Sequence, residues 1–163
     1  MKELLDKLTS YNLFNYLLPG VLFVTLSGKL SANSLTLGDA MVGAFVCYFI
    51  GLIISRFGSL IIGPTLKKIS FVKFTGYSAY VSASKQDPTL ETLSEVNNMY
   101  RTLSSMLVLL ALFKFYEWIE LQLPGLKAWN NYILIALLLI LFLYSYRKQT
   151  QFITNRIKAN NGQ

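Results

Sequence analysis

The sequence predicts an all-α fold, that of a polytopic membrane protein with four transmembrane helices. Four stretches are apolar enough to lie in a bilayer, at about residues 11–28, 37–56, 101–121 and 129–146. Twelve of the fifteen lysines and arginines lie on one side of these stretches. They occur before the first stretch, between the second and third stretches with their flanking residues, and after the fourth. Because basic residues accumulate on the cytoplasmic side of bacterial inner-membrane proteins, we expect an inner-membrane protein with both termini in the cytoplasm.

The composition supports lipid as the surrounding medium. Of the 163 residues, 53% are hydrophobic and only 14% are charged, and the mean hydropathy is +0.45. A soluble domain carries about 25% charged residues, so this chain has too little polar surface to cover a globule. The formal charge of +7 is explained by membrane topology rather than by direct nucleic-acid binding. It predicts attraction to anionic lipid headgroups.

The residue types exclude several kinds of catalysis. The chain has no histidine, which removes a histidine general base and histidine-bound zinc. Its single cysteine, Cys47, lies inside an apolar stretch and is expected to be inert packing. The sequence contains no glycine-rich phosphate loop, no metal-ligand pattern and no nucleophile elbow. We therefore predict a protein that is not an enzyme and that holds no cofactor or metal.

The first stretch contains two features unusual at membrane depth. Pro19-Gly20 lies in its middle, where proline removes one intrahelical hydrogen bond and favours a kink. The kink would serve either packing or a gating hinge. Asn15 needs a hydrogen-bond partner in lipid, so it should face another helix.

The second stretch carries a stripe of small residues, spaced four apart along one helix face. Its members are Gly43, Cys47, Gly51, Ser55, Ser59 and Gly63. Small residues allow close helix approach in lipid. The stripe therefore predicts either intrachain helix packing or a seam between copies of the chain. Arg56 ends the apolar core and should extend toward the headgroups.

Residues 64–100 form the longest connection and are predicted to be a cytoplasmic helical loop. Aromatic residues at three-residue spacing alternate with lysines in its first half, namely Phe71, Phe74, Tyr77 and Tyr80. This pattern is typical of an amphipathic segment on the membrane surface, although it would also suit nucleic acid or a protein groove.

Asp87-Pro88 is a helix start, because aspartate caps free amides and proline suits the first helical position. No breaker follows before Pro124, so one helix is predicted from Pro88 to Gln122. In its projecting half an apolar face requires a partner, either a sister helix or another protein. That face contains Leu90, Leu93, Val96, Asn97 and Tyr100.

Charged groups lie at the outer end of the third stretch. Lys114 and Glu117 are neighbours on one helix face, and by depth Lys114 should also lie near Asp39. With Asn15, these groups would either pair structurally or line an ion path.

The fourth stretch should face lipid on most sides, and the cytoplasmic tail, residues 147–163, should end in a disordered segment. The basic residues expected to meet a partner or lipid are Lys67, Lys68, Lys73, Lys85, Arg101, Arg147 and Lys148.

Two segments resemble small four-span membrane proteins of anti-phage defence loci. They are residues 11–20, which read YNLFNYLLPG, and residues 93–101, which read LSEVNNMYR. The chain is similar in size and layout to the membrane subunit of Kiwa-type systems and to membrane effectors of some retrons. The resemblance implies an oligomeric membrane sensor or effector with a cytoplasmic partner.

Three functional hypotheses follow. The leading one is a non-enzymatic, homo-oligomeric inner-membrane scaffold or effector that docks a cytoplasmic protein through its basic face. The second is a small ion channel or a holin-like protein that permeabilises the membrane. The third is an immunity protein against a pore-forming toxin.

Overall fold

The computed structural model describes residues 11–30 and 39–160, which form five helices and no strand. Their bounds are α1, Leu13–Leu30; α2, Ala40–Lys68; α3, Tyr77–Gln86; α4, Thr89–Gln122; and α5, Asn130–Asn160. A short 3₁₀ turn, Pro124–Trp129, joins α4 to α5. Helices α1, α2, α4 and α5 are each long and apolar enough to cross a membrane. The all-α class with four such helices is confirmed. Residues 37 and 38 of the second predicted span, and residues 161–163 of the predicted tail, lie outside the described residues.

A π-helical turn opens α1 and another interrupts α2, at Leu13–Leu17 and Gly58–Ile62. Each turn ends two residues before a proline, Pro19 or Pro64. Proline has no N–H, so it leaves the carbonyl four residues earlier without its usual donor. A π register bonds a carbonyl to the N–H five residues on, which offers that carbonyl a substitute. The disturbance expected at Pro19 therefore takes the form of a π turn directly before it.

The central core of the bundle is apolar. Ile54, Met106 and Leu110 are buried where α1, α2 and α4 meet. Leu22 and Phe23 of α1 pack against them. Since dispersion contacts rather than water exclusion hold helices together in lipid, this tight packing is the main apolar contribution to the bundle.

Helix α4 is one uninterrupted element of 34 residues, as the sequence predicted. Its start is capped by Asp87, whose Oδ1 accepts a hydrogen bond from the Thr89 N–H at 2.9 Å and a second from the Thr89 hydroxyl. These bonds favour the ionised carboxylate and lower the pKa of Asp87 from its usual value. The Asp-Pro pair therefore sets where α4 begins.

Helix α2 extends beyond the predicted span, which ended at residue 56, and includes residues 64–68 of the predicted loop. The helix continues through Gly58, Gly63 and Pro64, with the π turn directly before the proline. It stops at Ser70, which has a φ of 59°. The Phe71 N–H then bonds the Leu66 carbonyl at 3.0 Å, the bond of a Schellman ending.

The predicted amphipathic segment with aromatic residues at three-residue spacing is helical only from Tyr77 onward. Phe71 and Phe74 lie in a non-helical stretch and are exposed, whereas α3 begins at Tyr77. The Tyr77 ring contacts the Phe152 ring of α5, with centroids 5.8 Å apart. Val81 of α3 is fully buried, since α3 packs on both α4 and α5. The loop therefore forms a helical layer against one end of the bundle.

Helix α5 is 31 residues long and continues through most of the predicted tail. Residues 147–160, which were expected to lead into a disordered end, are helical. No proline or glycine occurs from residue 130 to residue 160, and the Thr150 and Thr154 hydroxyls bond carbonyls four residues back in the same helix. The most apolar part of α5 has no buried residue, as expected for a span that faces lipid on most sides.

Candidate functional site at the basic end of the helix bundle

The first four members of the small-residue stripe, Gly43, Cys47, Gly51 and Ser55, are buried within the chain. A Cβ on Gly51 would lie 2.5 Å from the carbonyl carbon of Tyr16 and 3.0 Å from its Cα. A Cβ on Gly20 would lie 2.7 Å from the carbonyl carbon of Cys47. The two backbones therefore touch, and this face of α2 packs on α1 of the same chain.

The last two members of the stripe meet other helices. Ser59 accepts a hydrogen bond from Lys148 of α5 through its Oγ, at 2.9 Å, and a second through its carbonyl. A Cβ on Gly63 would lie 3.5 Å from Cδ of Arg101 in α4. Within the described residues the stripe is thus occupied by intrachain contacts, and little of it is free to form a seam between copies.

Asn15, Ser55 and Thr102 form a buried polar cluster that joins α1, α2 and α4. Asn15 Nδ2 donates to Ser55 Oγ at 3.3 Å and to the Tyr11 hydroxyl at 3.1 Å. The Thr102 hydroxyl lies 2.9 Å from Asn15 Oδ1 and 2.8 Å from the Asn98 carbonyl, so its single proton is shared between two acceptors. Asn15 is 1% exposed and Thr102 0%. As predicted, Asn15 faces other helices.

Two arginines adjoin the polar cluster, because Arg56 follows Ser55 and Arg101 precedes Thr102 in the chain. Lys148 lies close enough to both guanidiniums for electrostatic repulsion to act among the three. We call the part of the bundle that carries these three side chains the basic end. In residues 11–30 and 39–160 no carboxylate forms an ion pair with any of them, since the one ion pair found there joins Lys114 and Glu117.

Lys114 and Glu117 lie at the opposite end, with their charged atoms 2.8 Å apart. Lys114 also donates to the Leu30 carbonyl, which ties α4 to the end of α1. The expected closeness of Lys114 and Asp39 is not found. Asp39 instead caps α2, accepting from the Met41 N–H at 2.8 Å, because the first free amides of a helix attract a carboxylate.

Asn130 also belongs to this opposite end, although sequence reasoning missed it. Its Nδ2 donates to Glu120 Oε1 at 2.7 Å, and its Oδ1 accepts from the Tyr116 hydroxyl. The sequence feature that could have identified Asn130 is its position directly after the turn between α4 and α5, because that turn returns the chain toward the end of α4.

The predicted intramembrane polar residues do not lie together. Thr102, next to Asn15, is about 18 Å from Lys114 along α4 at 1.5 Å per residue. Between them the helix presents Met106 and Leu110 to the apolar core. The two polar groups are therefore separated along the bundle by apolar packing in this part of the chain.

The other predicted basic residues are exposed. Lys67, Lys68, Lys73, Lys85 and Arg147 all face away from the bundle, whereas Arg101 and Lys148 are half-buried. The projecting part of α4 is exposed on one side too. Its outward face, which we define as Leu93, Val96, Asn97 and Tyr100, lies opposite the buried side that carries Thr102. Leu90, the fifth predicted member, is half-buried.

The described residues contain no group of three metal-ligating side chains. No similar protein was found. No protein-family model, no curated protein and no solved structure matches this chain.

Proposed function

We propose that this chain is a multi-pass scaffold or effector of the bacterial inner membrane that docks a cytoplasmic protein. The outward face of α4 would be the contact, and both termini would lie in the cytoplasm. The resemblance of residues 11–20 and 93–101 to defence-locus proteins suggests anti-phage defence as the setting.

The observation that carries this proposal is the outward face itself. Leu93 is 59% exposed and Tyr100 62%, and both belong to the half of α4 that precedes the apolar span. If that half stands in the cytoplasm, lipid cannot cover these side chains, and exposed apolar patches in water mark interaction sites. Because α4 runs unbroken into the bundle, a protein bound there would be coupled rigidly to the membrane helices.

The exposed lysines before α4 indicate what kind of partner would bind. Lys67, Lys68, Lys73 and Lys85 are exposed in the connection that precedes α4. If they flank the docking surface they would favour a partner with acidic residues around an apolar centre, because charges at an interface rim steer association. Any assembly of several copies would use the exposed apolar side chains of α5, since the small-residue stripe is occupied.

The channel hypothesis has less support than docking. A conducting path needs polar groups along the length of the bundle, whereas the core between Asn15 and Lys114 is apolar and packed.

We expect the double substitution L93E and Y100E to abolish co-purification of the cytoplasmic partner, because two carboxylates would have to be desolvated in an apolar contact. Each loss of a central anchor costs about 2 kcal/mol or more, which is about thirtyfold in affinity. The measurement is affinity purification from native cells in mild detergent, with quantitative mass spectrometry of the proteins recovered.

The control is T92E, which adds one negative charge one residue from Leu93, at an exposed position outside the outward face. T92E should recover the same protein as the wild type. Recovery of that protein unchanged by L93E and Y100E, or no specific soluble protein with the wild type, would refute the docking proposal.

A further inference from the structure

We propose that the basic end holds the phosphate group of an anionic phospholipid, in a cleft between α2 and α5. This lipid site is independent of the docking proposed above, because it uses different side chains.

The cleft has a volume of about 30 Å³. Its walls are formed by Arg56, Ser59, Leu60, Ser145, Lys148 and Phe152, among others. A water-sized group needs about 10–15 Å³ of such space, so the cleft admits phosphate oxygens but cannot enclose a nucleotide. A ligand held here must leave most of its body outside the cleft.

Two buried side-chain atoms in the described residues have no hydrogen-bond partner, and both are donors at this end. One is Ser145 Oγ, in the cleft wall, on a residue that is only 8% exposed. The other is Nε of Arg101. Buried donors without partners are costly. An anion's oxygen in the cleft would satisfy Ser145 Oγ, which belongs to the cleft wall, whereas Arg101 does not line the cleft and adds only its charge at this end of the bundle.

The charges point to the same ligand. Arg56, Arg101 and Lys148 repel one another, and no carboxylate pairs with them in the parts of the chain that the structure describes. An anion would convert this repulsion into attraction. Guanidinium groups match the geometry of phosphate through paired N–H donors, and lysine adds a point charge.

The position of the cleft favours a lipid over a soluble phosphate. Arg56 and Lys148 follow directly on the apolar stretches of α2 and α5, which is the depth of the headgroups in a bilayer. Leu60 and Phe152 give the cleft apolar walls. Tyr144 and Tyr146, which precede Lys148 on α5, are exposed toward the medium that surrounds the bundle. A lipid could therefore place its phosphate in the cleft and its acyl chains along α5.

The test is native mass spectrometry of the full chain in mild detergent with equal amounts of phosphatidylglycerol and phosphatidylcholine. We expect the wild type to retain the anionic lipid at least about tenfold over the zwitterionic one. The R56Q/K148Q variant should lose about tenfold of that retention. The matched control R156Q/K158Q, which removes two charges from an exposed part of α5 outside the cleft, should retain it.

The S145A variant provides a measurement that does not depend on removing charge. It deletes only the unpartnered hydroxyl, so it should fold normally, and we expect about fivefold weaker retention of phosphatidylglycerol. Equal retention of the two lipids by the wild type, or equal loss in R156Q/K158Q and R56Q/K148Q, would overturn the site. Displacement of the lipid by millimolar inorganic phosphate would overturn the assignment to lipid.

Discussion

Substituting Gly51 by alanine is expected to lower the free energy of unfolding by about 3 kcal/mol, the upper end of the usual range for overpacking. The added Cβ would meet the carbonyl carbon of Tyr16 at 2.5 Å and its Cα at 3.0 Å. Both atoms belong to backbone and cannot rotate away as a side chain would. Helices α1 and α2 must therefore separate, which also disturbs the polar cluster one turn further along α2.

The loss of unfolding free energy can be measured by steric trapping in mild detergent. This method reports separation of the helix bundle while the individual helices stay intact in the detergent. Gly76 provides the matched control, because a Cβ there would have no atom within 4 Å. G76A should change the free energy of unfolding by less than about 0.5 kcal/mol. If G51A were as stable as G76A, the close contact between α1 and α2 would be wrong.

Substituting Thr102 by valine is expected to lower the free energy of unfolding by about 1–2 kcal/mol. The methyl group fills the same space, but the Asn15 amide oxygen then loses its donor from α4 inside a fully buried cluster. The same experiment measures the effect. Because Arg101 is adjacent, the substitution should also loosen the basic end.

Thr150 is the matched control for this substitution. Its hydroxyl bonds the Tyr146 carbonyl four residues back, as Thr102 bonds Asn98, but Thr150 is exposed and this bond lies within α5. T150V should therefore cost less than about 0.5 kcal/mol. An equal effect of T102V and T150V would show that the polar cluster contributes nothing between helices.

The sequence predicted the helices well, because membrane helices depend on local information. Apolar length and proline position were sufficient to predict α4 from Pro88 to Gln122, and the structure gives Thr89–Gln122. The predicted end of the second helix was wrong, because two local preferences compete there. The π turn carries α2 past Pro64, and no signal in the sequence distinguishes that outcome from a helix end.

The candidate site was less predictable, because it depends on how the helices are paired. The small-residue stripe left two partners open, and only the contact of Gly51 with Tyr16 decides for α1 of the same chain. Depth alone suggested a pair between Lys114 and Asp39, whereas Asp39 is used by its own helix. The gathering of Arg56, Arg101 and Lys148 comes from three different helices and has no signature in sequence spacing.

The most direct test of the whole account is the side of the membrane on which each end of the bundle lies. Single cysteines at Lys85 and Lys127, in a C47A background, can be labelled with a membrane-impermeant maleimide in intact bacterial spheroplasts. We expect labelling at position 127 in intact spheroplasts, and at position 85 only after they are permeabilised. Labelling of position 85 without permeabilisation, or a C47A protein recovered soluble without detergent, would contradict it.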